Sequence, residues 1–349
     1  MAGMDTEHLN HISGITPDEG HIPCIALTHN EMAILPEFLE HYRRLGPVQF
    51  AIVDDRSDDG SRDFLLGQPD VALFEPKPGS TYAEHKRPWR RELLDLFAID
   101  RWCLVPDIDE FLVFMDYETR GIEALISDLE TERSEALHCI MLDMYADKPL
   151  ADHSYSGGGL VAAFPMTDGP GSYFLLPAPA RYRRKYPAPS LLVYGGMRSR
   201  LFFSTCQPSS MQSALLARFA GLDGPFNPRL VRLTAARATR RACRSILGSD
   251  PFTATKLTLL KWRVGLGFSG GSHSVTQHLR VSEHAGALLH FKFTKGLGGL
   301  QYLANRGQHA GGGRYYKRML GARDVLTSSP CYSGTLKVTG SASLTGFLR

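Results

Sequence analysis

No stretch of this 349-residue sequence is an apolar run of the length that a bilayer-crossing helix needs, which excludes a helical membrane protein. Cysteine is scarce and dispersed: its six copies, at 24, 103, 139, 206, 243 and 331, include no Cys-x-x-Cys pair. Cys24, Cys103 and Cys139 fall inside apolar runs, so they read as reduced core thiols of a cytosolic protein. Neither sign of charge prevails, with 39 basic against 36 acidic residues and a net charge of +3, too mild for a nucleic-acid binder. The polar start "MAGMDTEHLNHISGITPDEGH" has neither a basic n-region nor an apolar core, so no signal peptide is expected. There is no internal repeat. The composition that remains, 43% hydrophobic and 21% charged, is that of a globular chain with a sizeable core, in two lobes or one large α/β domain.

Strand and helix patterns alternate through the first 110 residues. "IPCIALT" (22–28), "QFAIVDD" (49–55), "VALFEP" (71–76) and "WCLVPDID" (102–109) read as strands. Between them "EMAILPEFLEHYRRLG" carries apolar residues at helical spacing, "DDGSRDFLLG" is a turn into a short helix, and 82–99 is a helix interrupted near Pro88. Such alternation implies right-handed β-α-β crossovers and a mainly parallel sheet. Residues 150–200, rich in Gly, Pro, Tyr and Arg, read as irregular loops and short strands. Further strands are expected at "SRLFF" (199–203) and "ALLHFKF" (287–293), with helices near 209–220 and 298–306.

In open α/β sheets ligands gather at the carboxyl ends of the strands. The polar residues here concentrate there: Thr28-His29-Asn30-Glu31, Asp54-Asp55-Arg56-Ser57 and Asp107-Ile108-Asp109. The third group opens "DIDEFL", acids set against apolar residues, where desolvation is costly unless a cation compensates. Hard oxygen ligands with no thiolate nearby suit Mg²⁺ or Mn²⁺.

"CIALTHNE", "FAIVDDRSDDGS" and "WCLVPDIDEFL", in this order, resemble the GT-A fold glycosyltransferases that use nucleoside-diphosphate sugars, in the family 2-like bacterial branch whose metal motif reads Asp-x-Asp-Glu-Phe. The resemblance continues through "LTLLKWRVGLGFSGGSH", "GALLHFKF" and "RGQHAGGGRYYKR", covering about residues 20 to 318. It implies an α/β fold with an open, mainly parallel, Rossmann-like nucleotide-binding sheet and a mixed acceptor-side half, a divalent metal and a nucleotide-sugar donor, expected to be a UDP-sugar. Residues 1–20 would be a flexible leader, 21–148 the nucleotide-sugar-binding half, 149–318 the acceptor-binding half of the same domain, and 319–349 a C-terminal tail whose last twenty residues, rich in Ser, Thr and Gly, are expected to be poorly ordered. Carried over by position, Asn30 and Glu31 would border the uridine and Asp54 would accept a hydrogen bond from the base. Asp107 and Asp109 would hold metal and ribose, with Asp109 as direct ligand, and His290 would complete the metal shell, with His273 as its competitor.

Around that motif, Lys86, Arg87, Arg90 and Arg91 offer cations on one helix, with Arg90 the choice for a diphosphate or base contact. Glu110 is placed one step behind the metal. The acceptor hydroxyl needs a base if the reaction inverts, and of Asp143, Asp147 and Asp152 the first is the choice, because it ends an apolar run. Arg181, Arg183, Arg184 and Lys185, interleaved with Tyr182 and Tyr186, are either a solvated face or a seat for an anionic acceptor or a membrane surface. The expected acceptor is a glycan or glycolipid, and the expected location is the cytoplasm, with room for a peripheral contact at the inner face of the membrane. A sugar-1-phosphate nucleotidyltransferase is the alternative, weakened because "THNEMAILPEF" is no Gly-rich triphosphate loop. A catalytically inactive sugar-nucleotide or glycan-binding module is the other, weakened because both aspartates of the motif are intact.

Overall fold

The computed structural model describes residues 4–178, 180–203, 209–211, 214, 253–269, 271–308 and 312–348. Most of the helix expected near 209–220 lies outside the described residues, as does a second basic run in the sequence, with arginines at 237, 240, 241 and 244. The protein is a mixed α/β chain built on one large sheet. Its strands are β1 (Leu9–Ser13), β2 (Ile22–Thr28), β3 (Val48–Asp54), β4 (Val71–Pro76), β5 (Trp102–Leu104), β6 (Glu110–Val113), β7 (Ala136–Asp143), then β11 (Thr255–Lys256), β12 (Leu259–Lys261) and β13 (Val281–His290). The spatial order is β1-β4-β3-β2-β5-β12-β7-β13-β6, with β11 beside β7. From β4 to β5 all pairings are parallel, whereas β12 runs antiparallel to β5 and β7, and β13 is parallel to β7 but antiparallel to β6. Two small ribbons stand apart: β9 (Tyr173–Pro177) with β10 (Leu191–Gly195), and β8 (Met166–Asp168) with β14 (Thr335–Lys337).

The parallel strands are apolar on both faces, and successive side chains sort to opposite sides. Cys24, Ala26, Phe50, Ile52 and Leu73 pack with α1 (Leu35–Leu45) through Phe38, Leu39, Tyr42 and Leu45. Their alternates Ile25, Ala51, Val53, Ala72 and Phe74 pack with the helix Tyr82–Phe97 through Trp89, Leu93, Leu94 and Phe97. That helix runs on through Pro88 rather than breaking there. A proline forfeits one helical hydrogen bond, and here the buried stripe that follows it holds the helix to the sheet.

Three further expectations give way. The leader is not loose: Leu9–Ser13 is a strand antiparallel to β4, with Leu9 fully buried. "SRLFF" is no strand but part of the helix Met197–Phe202. Gly195 and Gly196, at φ +112° and +78°, turn the chain out of β10 just before it. The tail is not poorly ordered: β14 pairs with β8, and Leu344, Phe347 and Leu348 are buried. Among the described residues no helix is long and apolar enough to cross a membrane.

Candidate functional site

β5 and β6 are separated by five residues in sequence, yet β12, β7 and β13 lie between them in the sheet. The segment 105–109 therefore crosses the strand ends and carries its acids past the carboxyl ends of β7 and β13. Asp107 and Glu110 close it as a turn: the Glu110 N–H donates to Asp107 O at 3.0 Å, and the Asp107 N–H donates to Glu110 Oε2 at 3.0 Å. Register does the rest. His290 on β13 stands opposite Glu110 on β6 and opposite Asp143 on β7.

A cavity of about 390 Å³ opens over these strand ends. Asp107, Asp109, His290, Glu31 and Arg90 line it, so five of the expected site residues are brought together, with Glu110 beside them. Ligand atoms of Asp109, Glu110 and His290 lie within 4.8 Å of one another. Two carboxylates and an imidazole form an oxygen and nitrogen donor set suited to Mn²⁺ or Mg²⁺, so these residues fit a divalent ion. Glu110, expected behind the metal, is thus one of the three, and Asp107 is not. Asp107 and Glu110 are alike in being held by protein groups, Asp107 by Arg90 and Lys256 and Glu110 by Lys256, each at 2.8 Å, and by the Asp107 N–H; it is proximity to Asp109 and His290 that sets Glu110 apart. His273, the competitor, stands outside that trio, its Nδ1 2.7 Å from Thr255 O. Burial lowers its pKa to about 3.

Every acid of the motif has a protein cation beside it. Lys256 Nζ reaches Glu110 Oε1 at 2.8 Å as well as Asp107, and Lys292 Nζ stands 3.2 Å from Asp109 Oδ2. Burial works to raise the pKa of Asp107 and of Asp109, but Lys256 and Arg90 in one case, and Lys292 and His290 in the other, hold both carboxyls far below the usual range. At Glu110 burial prevails over Lys256 and the pKa rises. His290 has a carboxylate at each ring nitrogen, Asp143 Oδ1 2.6 Å from Nδ1 and Asp109 Oδ2 3.4 Å from Nε2.

Asp143, the candidate base, is buried and paired. It is 3% exposed and holds Arg198 at 2.8 Å as well as His290. Burial would raise its pKa, but Arg198 and His290 bring it down to about 2. A carboxylate so stabilised is a poor proton acceptor and a good orienting group.

The nucleotide-side residues divide. Glu31 faces the cavity, paired with Lys295 at 2.8 Å, and burial raises its pKa. Asn30 does not line the cavity. At φ +55° it exchanges hydrogen bonds with Asp58, Nδ2 to Oδ1 at 2.7 Å and Asp58 N to Oδ1 at 2.9 Å, tying two strand-end loops together. Asp54 also lies behind the lining. Its Oδ2 accepts from Ser57 N at 3.1 Å, and its Oδ1 is buried with no partner, an oxygen that lacks a donor. The helix Gly296–Arg306 covers this side. Tyr302 Oη meets His29 Nε2 at 2.5 Å, Arg306 reaches Asp55 at 2.6 Å, and Lys295 donates to Asn30 O.

The basic segment behaves as a short helix, Ala180–Lys185, away from the cavity lining. Sequence reasoning missed Lys256, Lys292 and Arg198. The spacing His290-x-Lys292 was the one available signal, two residues one strand period apart. Lys256 and Arg198 reach the site through β11 and a helix after two glycines, and no local pattern announces them. No family model matches the sequence, and no curated protein matches it either.

Proposed function

We propose that the chain is a metal-dependent glycosyltransferase of the GT-A type, moving a sugar from a nucleoside-diphosphate donor, a UDP-sugar, to a hydroxyl of a glycan or glycolipid. One observation carries this reading: a donor set of two carboxylates and an imidazole, Asp109, Glu110 and His290, stands in a cavity walled by Arg90, Lys86, Lys256 and Lys292 at the carboxyl ends of parallel strands. A divalent ion, when bound, neutralises the charge that develops on a departing diphosphate. Asp109, Glu110 and His290 would hold it, and Asp143 keeps the His290 ring turned toward Asp109. Arg90 and Lys86 supply further positive charge to the phosphates. Arg90 and Lys256 fix Asp107, so the motif enters the reaction already shaped.

The test is release of UDP from a panel of UDP-sugars with Mn²⁺ and with EDTA, for wild type and Asp109→Asn. We expect metal-dependent release that falls ~100-fold or more in the variant, with thermal unfolding in EDTA unimpaired. Formation of a nucleoside triphosphate from pyrophosphate would instead make the protein a nucleotidyltransferase. Binding without turnover would make it a non-catalytic module.

A further inference from the structure

We infer that Lys292 is the resident counter-ion of the metal site: its ammonium holds Asp109 until a divalent cation displaces it, and it then turns to the phosphates of the donor. This rests on the reading above and assigns a task to a residue that the acid motif does not contain.

The protein cations around the motif are of two kinds. Arg90 and Lys256 are sealed, with side chains 4% and 2% exposed, and their bonds to Asp107 and Glu110 are all 2.8 Å. Lys292 and Asp109 are each 17% exposed, face the cavity, and stand 3.2 Å apart. That distance exceeds the usual ~2.7–2.9 Å of a charge-assisted bond. Arg90 and Lys256 stay in place, so a metal that reaches Glu110 shares that carboxylate with Lys256, whereas Lys292 is replaceable. Lysine suits replacement, being a compact charge on a flexible stem. Lys292 also has somewhere to go without leaving the cavity, since its Nζ already lies 5.6 Å from the centre of the Tyr316 ring and feels the charge of Glu31.

Displacement follows from space and charge. A magnesium ion on a carboxylate oxygen sits at ~2.0–2.1 Å from it, so an ion on Asp109 would stand close to the ammonium now 3.2 Å from Oδ2, and the two like charges repel. Lys292 must move as the metal enters, so it weakens metal binding to the empty protein. A diphosphate placed between ion and ammonium satisfies both. Metal and nucleotide should then bind with positive coupling, each raising the affinity for the other. The ammonium also keeps Asp109 compensated while the metal is away, so the buried acid is never left alone.

The experiment reads free Mn²⁺ by electron paramagnetic resonance during titration of the intact protein, without and with UDP, and requires no turnover. Lys292→Met should bind Mn²⁺ alone roughly tenfold tighter or more, because a nearby positive charge is gone. UDP should raise Mn²⁺ affinity less in this variant than in wild type. Lys292→Gln should reproduce both changes should the methionine variant misfold, and Lys292→Arg, which retains the charge, should stay near wild type. Mn²⁺ affinity that is unchanged or weaker in both neutral variants overturns the inference while the metal-dependent reading stands. A wild type that binds no Mn²⁺ removes the metal reading, and the displacement role with it.

Discussion

At the scale of single residues the site depends on which carboxylate faces what. Asp107, Asp109 and Glu110 fall within four residues, yet only Asp109 and Glu110 come close to His290, while Asp107 turns to Arg90 and shares Lys256 with Glu110. The motif itself was legible, since acids at the end of an apolar run demand a cation. The division of labour was not, because the partners come from residues 90, 256, 290 and 292. Asp143 shows the same limit. An acid ending a buried strand could be a base or an orienter, and only Arg198 and His290 decide between them. Replacing Asp143 by Asn keeps its shape and removes its charge. Mn²⁺ affinity should then fall ~10–100-fold, with UDP binding in EDTA little changed. Loss of turnover at unaltered Mn²⁺ affinity would return Asp143 to the role of base.

At the scale of elements, the parallel strands β2, β3 and β4 could be read within a residue or two and the helices between them in place, though not to their exact starts, because each is a local apolar pattern. The second half could not. β12 is three residues long and enters between β5 and β7 from 155 residues along the chain beyond β5, a pairing that no local periodicity encodes. The tail eludes the sequence for a similar reason: its Ser, Thr and Gly content hides Leu344, Phe347 and Leu348, which are buried in the main core. Arg200 fastens it, gripping the fully buried Asp168 at 2.9 and 2.7 Å, donating to Pro330 O at 2.8 Å and lying 4.1 Å over the Tyr332 ring. Removing residues 330–349 should cost on the order of 5 kcal/mol, from three buried apolar side chains at ~1.5–3 kcal/mol each. Urea unfolding checks this: an unmoved midpoint would mean that the tail contributes nothing to the core.

At the scale of the whole molecule, acid should loosen the fold well before the carboxylates titrate. Burial lowers the pKa of His41, His138 and His153 to about 4, and of His273 to about 3. Their ordinary value is 6.5. Between those values the unfolded chain binds protons that the folded chain refuses, so stability falls as pH drops from about 6.5 toward 4. His290, whose pKa is raised by Asp109 and Asp143 against burial, works the other way as a single group. The denaturant midpoint should therefore be lower at pH 5.5 than at pH 7.5. A midpoint equal or higher at pH 5.5 would show that these rings take up protons without unfolding.

β1 also governs how the molecule meets its own copies. It lies antiparallel along the outer side of β4, pairing Leu9 with Pro76 and His11 with Phe74. Without it the sheet would end in the bare strand "VALFEP", an apolar ladder with open N–H and C=O groups, the kind of edge on which chains stack into aggregates. The opening residues are therefore a stopper: a protease that nicks the chain between β1 and β2 would leave every site residue in place and yield a protein prone to precipitate.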